Sequence, residues 1–229
     1  MKVLPAVMCA FIISVAARPV LVHAPHDWYR YQGTADAGKG DPFDSAPNQE
    51  SNCGPACVAM CVRYATGRWV PIDEAGGKEN VRVVMTGRNK NEGTDWPNVE
   101  KALKHFGAPY QWVYKTEGIK EALRRGHPVM AMVQCSQLEK AKSRESRVGR
   151  YYDFQWGHLL MVRGMSKNED YFVCYDPQVF VAKKDHWTKS GEPRGKDVLY
   201  PVNQFEAACV TELGDNFPAI EIMKSYDAM

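Results

Sequence analysis

The amino-acid sequence predicts an α+β fold, in which helices come first and a mostly antiparallel sheet follows. Two stretches between residues 54 and 107 have the apolar spacing of helices, and each ends at a glycine. Beyond residue 108, short apolar runs separated by polar turns are typical of strands. Helices followed by strands are the order expected of an α+β domain.

Four helices are predicted from their start and stop signals. Gly67 and Gly107 provide C-terminal stops for the first two, and Thr116 provides an N-terminal cap for the third. Residues 70–93 are predicted to be irregular. The predicted helices span residues 54–66, 95–107, 117–125 and 203–213.

The predicted strands are short apolar or aromatic runs. The run at 129–133 is apolar throughout, which favours a strand buried on both faces. The runs at 159–163 and 171–175 are joined by a polar turn at 166–168, and we expect them to form an antiparallel hairpin. Charged residues over 137–152 predict an exposed loop or helix. The other predicted strands are 110–114 and 219–223.

The composition indicates a globular protein without a nucleic-acid partner. The chain has 229 residues, of which 45% are hydrophobic and 24% charged, and this length fits one domain with an extension. Its 29 basic and 27 acidic residues leave a net charge of +2, and the leader holds two basic residues and no acidic one. A chain near neutrality has no electrostatic attraction to nucleic acid or to an anionic membrane.

The N-terminus resembles a signal peptide. Lys2 precedes a largely apolar run over 3–17, which is shorter than the roughly 20 residues that a stable membrane span needs. Cleavage is possible after Ala24 or after Ala17, and the alternative to export is a buried N-terminal helix. We therefore expect a secreted or periplasmic protein. Its predicted organisation is a signal peptide at 1–24, an extended lead-in at 25–46 and one domain at 47–229.

Six cysteines follow the leader, and an exported protein could pair some of them in disulfides. Cys57 and Cys61 lie four residues apart on one helical face and are expected to be buried, apolar thiols. No second cysteine pair with zinc-ligand spacing follows them, so the sequence predicts no metal site and no cofactor.

Cys53 is the candidate nucleophile. It lies between Asn52 and Gly54-Pro55, at the start of the first predicted helix. The unpaired N–H groups and the positive dipole end of a helix lower the pKa of a thiol there, and the thiolate is its reactive form. Gly54, which has no side chain, would let a substrate carbonyl approach the sulfur. The alternative is a structural cysteine beside a helix start.

His158 and Asp176 are the candidate partners of Cys53. His158 follows Gly157 at the start of a strand, and Asp176-Pro177 follows the next strand. His158 would serve as general base or ion-pair partner, and Asp176 would orient the imidazole. The alternatives are a core histidine and a turn-forming Asp-Pro pair. If His158 is not the general base, His127 and His186 are the alternative candidates for that role.

These motifs resemble those of the C39-like cysteine peptidases, papain-fold enzymes known from bacteriocin-maturation transporters and from stand-alone bacterial proteins. The matching pieces are 52–56, Gly157-His158 and Asp176-Pro177, and the resemblance covers about residues 47–222. It implies a papain-like fold, with a helical half packed on the sheet. It also implies that Cys53, His158 and Asp176 hydrolyse a peptide or isopeptide bond through a thioester acyl-enzyme, with a peptide or protein as substrate.

The resemblance also implies an oxyanion hole. In papain-like enzymes a side-chain amide upstream of the nucleophile joins the backbone N–H of the cysteine. Gln49 is the expected match, although it lies closer to Cys53 than the family pattern has it. Asn48, Asn52 and Gln32 are the alternatives.

Two other functions fit the same motifs. One is a different papain-fold acyl transfer, by a transglutaminase-like enzyme or a peptidoglycan hydrolase of NlpC/P60 type. The other is a catalytically silent binding domain, since a fold does not by itself imply a function. The pH at which the Cys53 thiol becomes reactive separates the silent domain from the enzymes.

Overall fold

The computed structural model of the protein describes residues 19–33, 51–73, 79–86, 93–178 and 187–225. The helices are α1 Cys53–Thr66, α2 Val81–Thr86, α3 Trp96–Phe106, α4 Lys115–Arg124 and α5 Val202–Leu213. The strands are β1 Val20–Leu21, β2 Tyr110–Tyr114, β3 Val129–Gln134, β4 Gly157–Met165, β5 Tyr171–Tyr175, β6 Val198–Pro201 and β7 Pro218–Ile222.

Within these ranges the strands form a seven-stranded sheet of order β2-β7-β3-β4-β5-β6, with β1 added to β4. Every pairing between these strands is antiparallel. Helix α1 packs on β4, and α5 packs on β3. The predicted α+β fold with an antiparallel sheet is confirmed.

Helix α1 is an apolar helix enclosed by the core. Its residues from Gly54 to Val62 are all buried, Cys57 and Cys61 among them as free thiols. The helix ends where predicted, because Gly67 adopts the left-handed conformation at φ 75° and donates its N–H to the Arg63 carbonyl at 3.0 Å. A helix buried on all sides holds its first residue in a fixed place relative to the sheet.

The predicted hairpin is formed by β4 and β5. Met161 pairs with Tyr175, and a bulge lies between Val162 and Gly164. Because the two strands run in opposite directions, the start of β4 lies beside the residues that follow β5. His158 and Asp176 are brought together in this way.

Three elements after the first helix differ from the prediction. Helix α2 lies within the stretch 70–93, which was wrongly expected to be irregular; this helix has six residues and is too short for a recognisable apolar period. Thr116 does not cap α4, because that helix already begins at Lys115, with Tyr114 at its N-cap. Strand β6 was not predicted, since its four residues are held only by pairing with β5.

The segment 19–33 is part of the domain. Val20 and Leu21 pair with β4, and the Val22 N–H donates to the Arg163 carbonyl at 2.8 Å. Trp28 and Tyr29 are buried in the core. The described part of the lead-in predicted at 25–46 therefore packs against the sheet, and residues 34–46 lie outside the described ranges. No helix among the described residues is long and apolar enough to cross a membrane.

Candidate active site

Cys53 is the first residue of α1, so its sulfur lies where backbone N–H groups have no acceptor within the helix. Burial raises the pKa of its thiol. The hydrogen bond and charge of His158 lower that pKa, as do the backbone N–H groups of Leu159 and Gly54. The lowering effects prevail, and the pKa of Cys53 lies below its ordinary value.

His158 is the second residue of β4, and only 1% of its side chain is exposed. Its Nε2 lies 2.9 Å from Oδ1 of Asp176. The other ring nitrogen, Nδ1, is buried and takes no part in the bond to Asp176. Nε2 is therefore committed to Asp176, and Nδ1 is left for the neighbouring thiol of Cys53.

The charges around His158 favour its protonated form. Burial lowers the pKa of the imidazole, but the charge and hydrogen bond of Asp176 raise it, and so does the hydrogen bond with Cys53. The net pKa of His158 lies well above its ordinary value. The thiol and the imidazole are thus shifted in opposite directions, toward a thiolate–imidazolium pair.

Asp176 follows β5 and is completely buried. Burial raises the pKa of its carboxyl, whereas the charge and hydrogen bond of His158 lower it, helped by a hydrogen bond from Tyr200. The pKa of Asp176 lies below its ordinary value, so the carboxylate is charged and faces the imidazole. The sequence-predicted residues Cys53, His158 and Asp176 are brought together by the fold.

Asn52, directly before Cys53, is held by two buried side chains that sequence reasoning missed. Its side-chain nitrogen donates to Asp73 at 3.1 Å, and its oxygen accepts from Arg82 at 3.3 Å. Arg82 also donates to the Ser51 carbonyl at 2.9 Å. The only signal for this network was a charged residue in an apolar stretch at 81–85. Together these bonds fix the backbone that leads into Cys53.

Gly54 is required by packing. A Cβ atom built on Gly54 would lie 2.3 Å from Oγ1 of Thr94 and 2.5 Å from its Cβ. Glycine at this position was predicted to let a substrate carbonyl approach. In the structure, the lack of a side chain lets Thr94 pack against the start of α1.

The side-chain amides that were predicted as candidate donors to the oxyanion lie in different surroundings. Gln49 and Asn48 lie outside the described residues. Asn52 donates to Asp73, as described above. Gln32 is completely buried, and its backbone N–H donates to the Pro177 carbonyl at 2.9 Å, next to Asp176.

The substitute histidines are not brought to Cys53 in the described ranges. His127 interacts through Nδ1 with Oε1 of Glu221 at 2.6 Å. It lies two residues before the start of β3. Val133, which pairs with His158, lies near the other end of that strand. At about 3.4 Å per residue this separation is roughly 20 Å. His186 lies outside the described residues.

Two solved structures are similar to this chain in fold. One is the peptidase domain of Streptococcus ComA, a bifunctional ABC transporter involved in a quorum-sensing pathway; it is 16% identical, with a TM-score of 0.47, and the match covers 76% of this chain and 93% of that one. The other is described as a C39-like peptidase from Bacillus anthracis, 13% identical with a TM-score of 0.46, covering 90% and 98%. No curated protein matches the sequence.

The family comparison matches a longer, continuous part of the sequence than the three motifs do. The sequence model of the Peptidase_C39 like family matches residues 42–196. This span is more than half of the chain, and it contains Cys53, His158 and Asp176. The resemblance predicted from the three motifs is confirmed, and the chain belongs to the Peptidase_C39 like family.

Proposed function

We propose that this protein is a cysteine peptidase that hydrolyses peptide or isopeptide bonds. Cys53 is the nucleophile, His158 is the general base and acid, and Asp176 orients the imidazole. The observation that carries the proposal is the geometry: Cys53 begins α1 beside the imidazole of His158, whose Nε2 lies 2.9 Å from Oδ1 of Asp176. The pKa shifts have the directions that this arrangement requires, lowered at Cys53 and raised at His158. Shifts of this kind at a helix N-terminus are what a thiolate nucleophile requires. Membership of a peptidase-like family supports the same chemistry.

The proposed reaction has two halves. The Cys53 thiolate attacks the carbonyl carbon of the substrate and forms a tetrahedral oxyanion. When the carbon–nitrogen bond breaks, the His158 imidazolium gives its proton to the leaving amine, and a thioester remains on Cys53. His158, now neutral, takes a proton from water, whose oxygen attacks the thioester. Collapse releases the carboxylic acid and restores the thiolate–imidazolium pair.

The oxyanion needs hydrogen-bond donors. The backbone N–H of Cys53 lies in the first turn of α1, where helical N–H groups have no intrahelical acceptor. Gln49 remains the predicted side-chain donor. Removing one such donor typically lowers kcat by about 10²–10³-fold, so Gln49→Ala should lose turnover without losing thiol reactivity.

Turnover by the wild-type protein and by Cys53→Ala tests this proposal. A mixture of synthetic peptides and isopeptides is incubated with each protein, and the products are identified by mass spectrometry. We expect new carboxyl termini with the wild type only, and an acyl adduct on Cys53 when the reaction is quenched early. Equal product from both proteins would refute the proposal. If amines are incorporated in place of hydrolysis, the protein is an acyl transferase. If stem peptides are released from cell wall, it is a peptidoglycan hydrolase.

The protein is also proposed to be exported, with cleavage after Ala17 and not after Ala24. The later cut would remove Val20 and Leu21, which pair with β4, and Val22, which is 1% exposed. It would also place Pro25 directly after the cleaved bond, which is unfavourable. We expect the mature protein to begin at Arg18, as measured by N-terminal sequencing and intact mass. A mature chain that begins at Pro25 and is folded would contradict this prediction.

A further inference from the structure

The carboxylate of Asp176 is surrounded by hydrogen-bond donors. Its Oδ1 interacts with Nε2 of His158 at 2.9 Å and accepts the backbone N–H of Gln178 at 3.0 Å. Its Oδ2 accepts the hydroxyl of Tyr152 at 2.9 Å and that of Tyr200 at 2.6 Å. The two oxygens therefore have separate partners: one faces the imidazole and the other is held by two tyrosines.

The direction of these bonds follows from the proton count. A charged carboxylate only accepts, so each tyrosine must give Asp176 its single hydroxyl hydrogen. The Tyr152 oxygen also lies 3.5 Å from Sγ of Cys135. Since the Tyr152 hydrogen is already committed, Cys135 must be the donor there. A chain of donors thus runs from Cys135 through Tyr152 to Asp176, and it fixes the Tyr152 hydroxyl.

The two tyrosines come from separate parts of the fold. Tyr152 lies at the end of the segment 137–152, which was expected to be an exposed loop or helix, whereas Tyr152 is 2% exposed. Tyr200 is on β6, which the sequence did not predict, and is completely buried. Both side chains point a hydroxyl at one carboxylate oxygen. Burying two phenols for packing alone would not require that convergence, because phenylalanine packs equally well.

We propose that Tyr152 and Tyr200 are positioning residues that hold the Asp176 carboxylate charged and turned toward His158. Their hydroxyls bond the carboxylate, and they act through Asp176. This inference rests on the proposed function of Cys53 and His158.

The electrostatics support this role. The carboxylate is buried, which disfavours its charge, and donated hydrogen bonds offset that penalty. Apart from His158 and the two tyrosines, the titratable groups around Asp176 are thiols and phenols, and burial raises the pKa of each, so they are neutral near pH 7. These groups are Tyr29, Tyr31, Tyr151, Cys57, Cys135 and Cys174.

The chain offers a matched control for the loss of a buried hydroxyl. Tyr29 also donates to Asp176, but to its backbone carbonyl, at 2.9 Å. The single hydroxyl hydrogen of Tyr151 is shared between that carbonyl, at 3.2 Å, and the Gln178 carbonyl, at 2.7 Å. Tyr29→Phe and Tyr151→Phe remove the same chemical group next to the same residue and leave the carboxylate's partners in place. These two variants should lower the free energy of unfolding without changing the charge or the orientation of the carboxylate.

The test is the pH dependence of Cys53 alkylation by iodoacetamide in the full chain, with the modified residue identified by mass spectrometry. Without these donors the Asp176 carboxylate is no longer held facing the imidazole, so the imidazolium loses part of its stabilisation and the thiolate forms only at higher pH. We expect Tyr152→Phe and Tyr200→Phe each to raise the midpoint by about one pH unit, the size typical of a hydrogen bond to a charged group. The double variant should shift it further, and the two control variants should keep the wild-type midpoint.

Two results would overturn the inference while leaving the proposed function intact. One is a midpoint that lies below the ordinary thiol value and is the same in the wild type and in both carboxylate-facing variants. The other is an equal shift in the controls, which would mean that any lost hydroxyl loosens the site. A wild-type midpoint at the ordinary thiol value would instead refute the proposed function. Thermal unfolding of each variant shows whether the protein compared is folded. If one of the two carboxylate-facing variants does not fold, the other is sufficient to test the inference.

Discussion

Replacing His158 with alanine is expected to raise the midpoint of Cys53 alkylation to about pH 8.5, the ordinary value of a thiol. The hydrogen bond and charge of His158 are the largest of the effects that lower the pKa of Cys53. The Cys53 thiol is an acid whose pKa is lowered, so the reactive thiolate forms as the pH rises through that pKa. Without His158, burial of the thiol acts unopposed by the imidazole, and the curve moves to higher pH.

The rate at about pH 6 should fall roughly tenfold in the same variant. At a pH below both midpoints, each unit by which the midpoint rises lowers the thiolate fraction about tenfold, but a less acidic thiolate is intrinsically more nucleophilic and recovers part of the loss. His127→Ala is the matched control, because His127 also interacts with a buried carboxylate, Glu221, at 2.6 Å. That variant should keep the wild-type curve. An acidic midpoint that survives in His158→Ala would show that His158 does not activate Cys53.

Replacing Gly195 with alanine is expected to lower the free energy of unfolding by about 3 kcal/mol, the upper part of the range for overpacking a core. A Cβ atom on Gly195 would lie 2.1 Å from the Asp176 carbonyl oxygen and 2.2 Å from the Tyr29 hydroxyl. The Asp176 N–H also donates to the Gly195 carbonyl at 2.8 Å. The backbone carbonyl cannot rotate away as a side chain would, so the whole loop that carries Asp176 must move.

Thermal unfolding measures this effect. For a domain of this size, a loss of 3 kcal/mol corresponds to a fall in Tm of about 10 °C. Gly93→Ala is the control, because nothing lies within 4 Å of a Cβ built there, and its free energy of unfolding should stay within about 0.5 kcal/mol of the wild type. If Gly195→Ala unfolds at the wild-type temperature, the packing around the Asp176 carbonyl is looser than the structure has it.

The parts of the fold that the sequence predicted are those that local patterns encode. Helix α1 has its own start, apolar face and glycine stop, and the β4–β5 hairpin has two apolar runs around a polar turn. Cys53, His158 and Asp176 lie at the ends of these elements. The hairpin predicts that His158 approaches Asp176, and the family resemblance implies that Cys53 joins them. Each of these signals is complete within one short, continuous stretch of the sequence.

The environment of those side chains was decided by the tertiary structure. Tyr152 and Tyr200 reach Asp176, and Arg82 reaches Asn52, through contacts between segments that no local pattern connects. The segment 19–33 has too few apolar residues in sequence to indicate a strand, and β1 exists only because β4 offers it a partner. The sequence alone therefore determined which residues carry the thiol, imidazole and carboxylate, since short-range propensities encode the elements that hold them. The tertiary structure alone decided which donors keep the carboxylate charged, because hydrogen bonds between distant segments form only once the chain has packed.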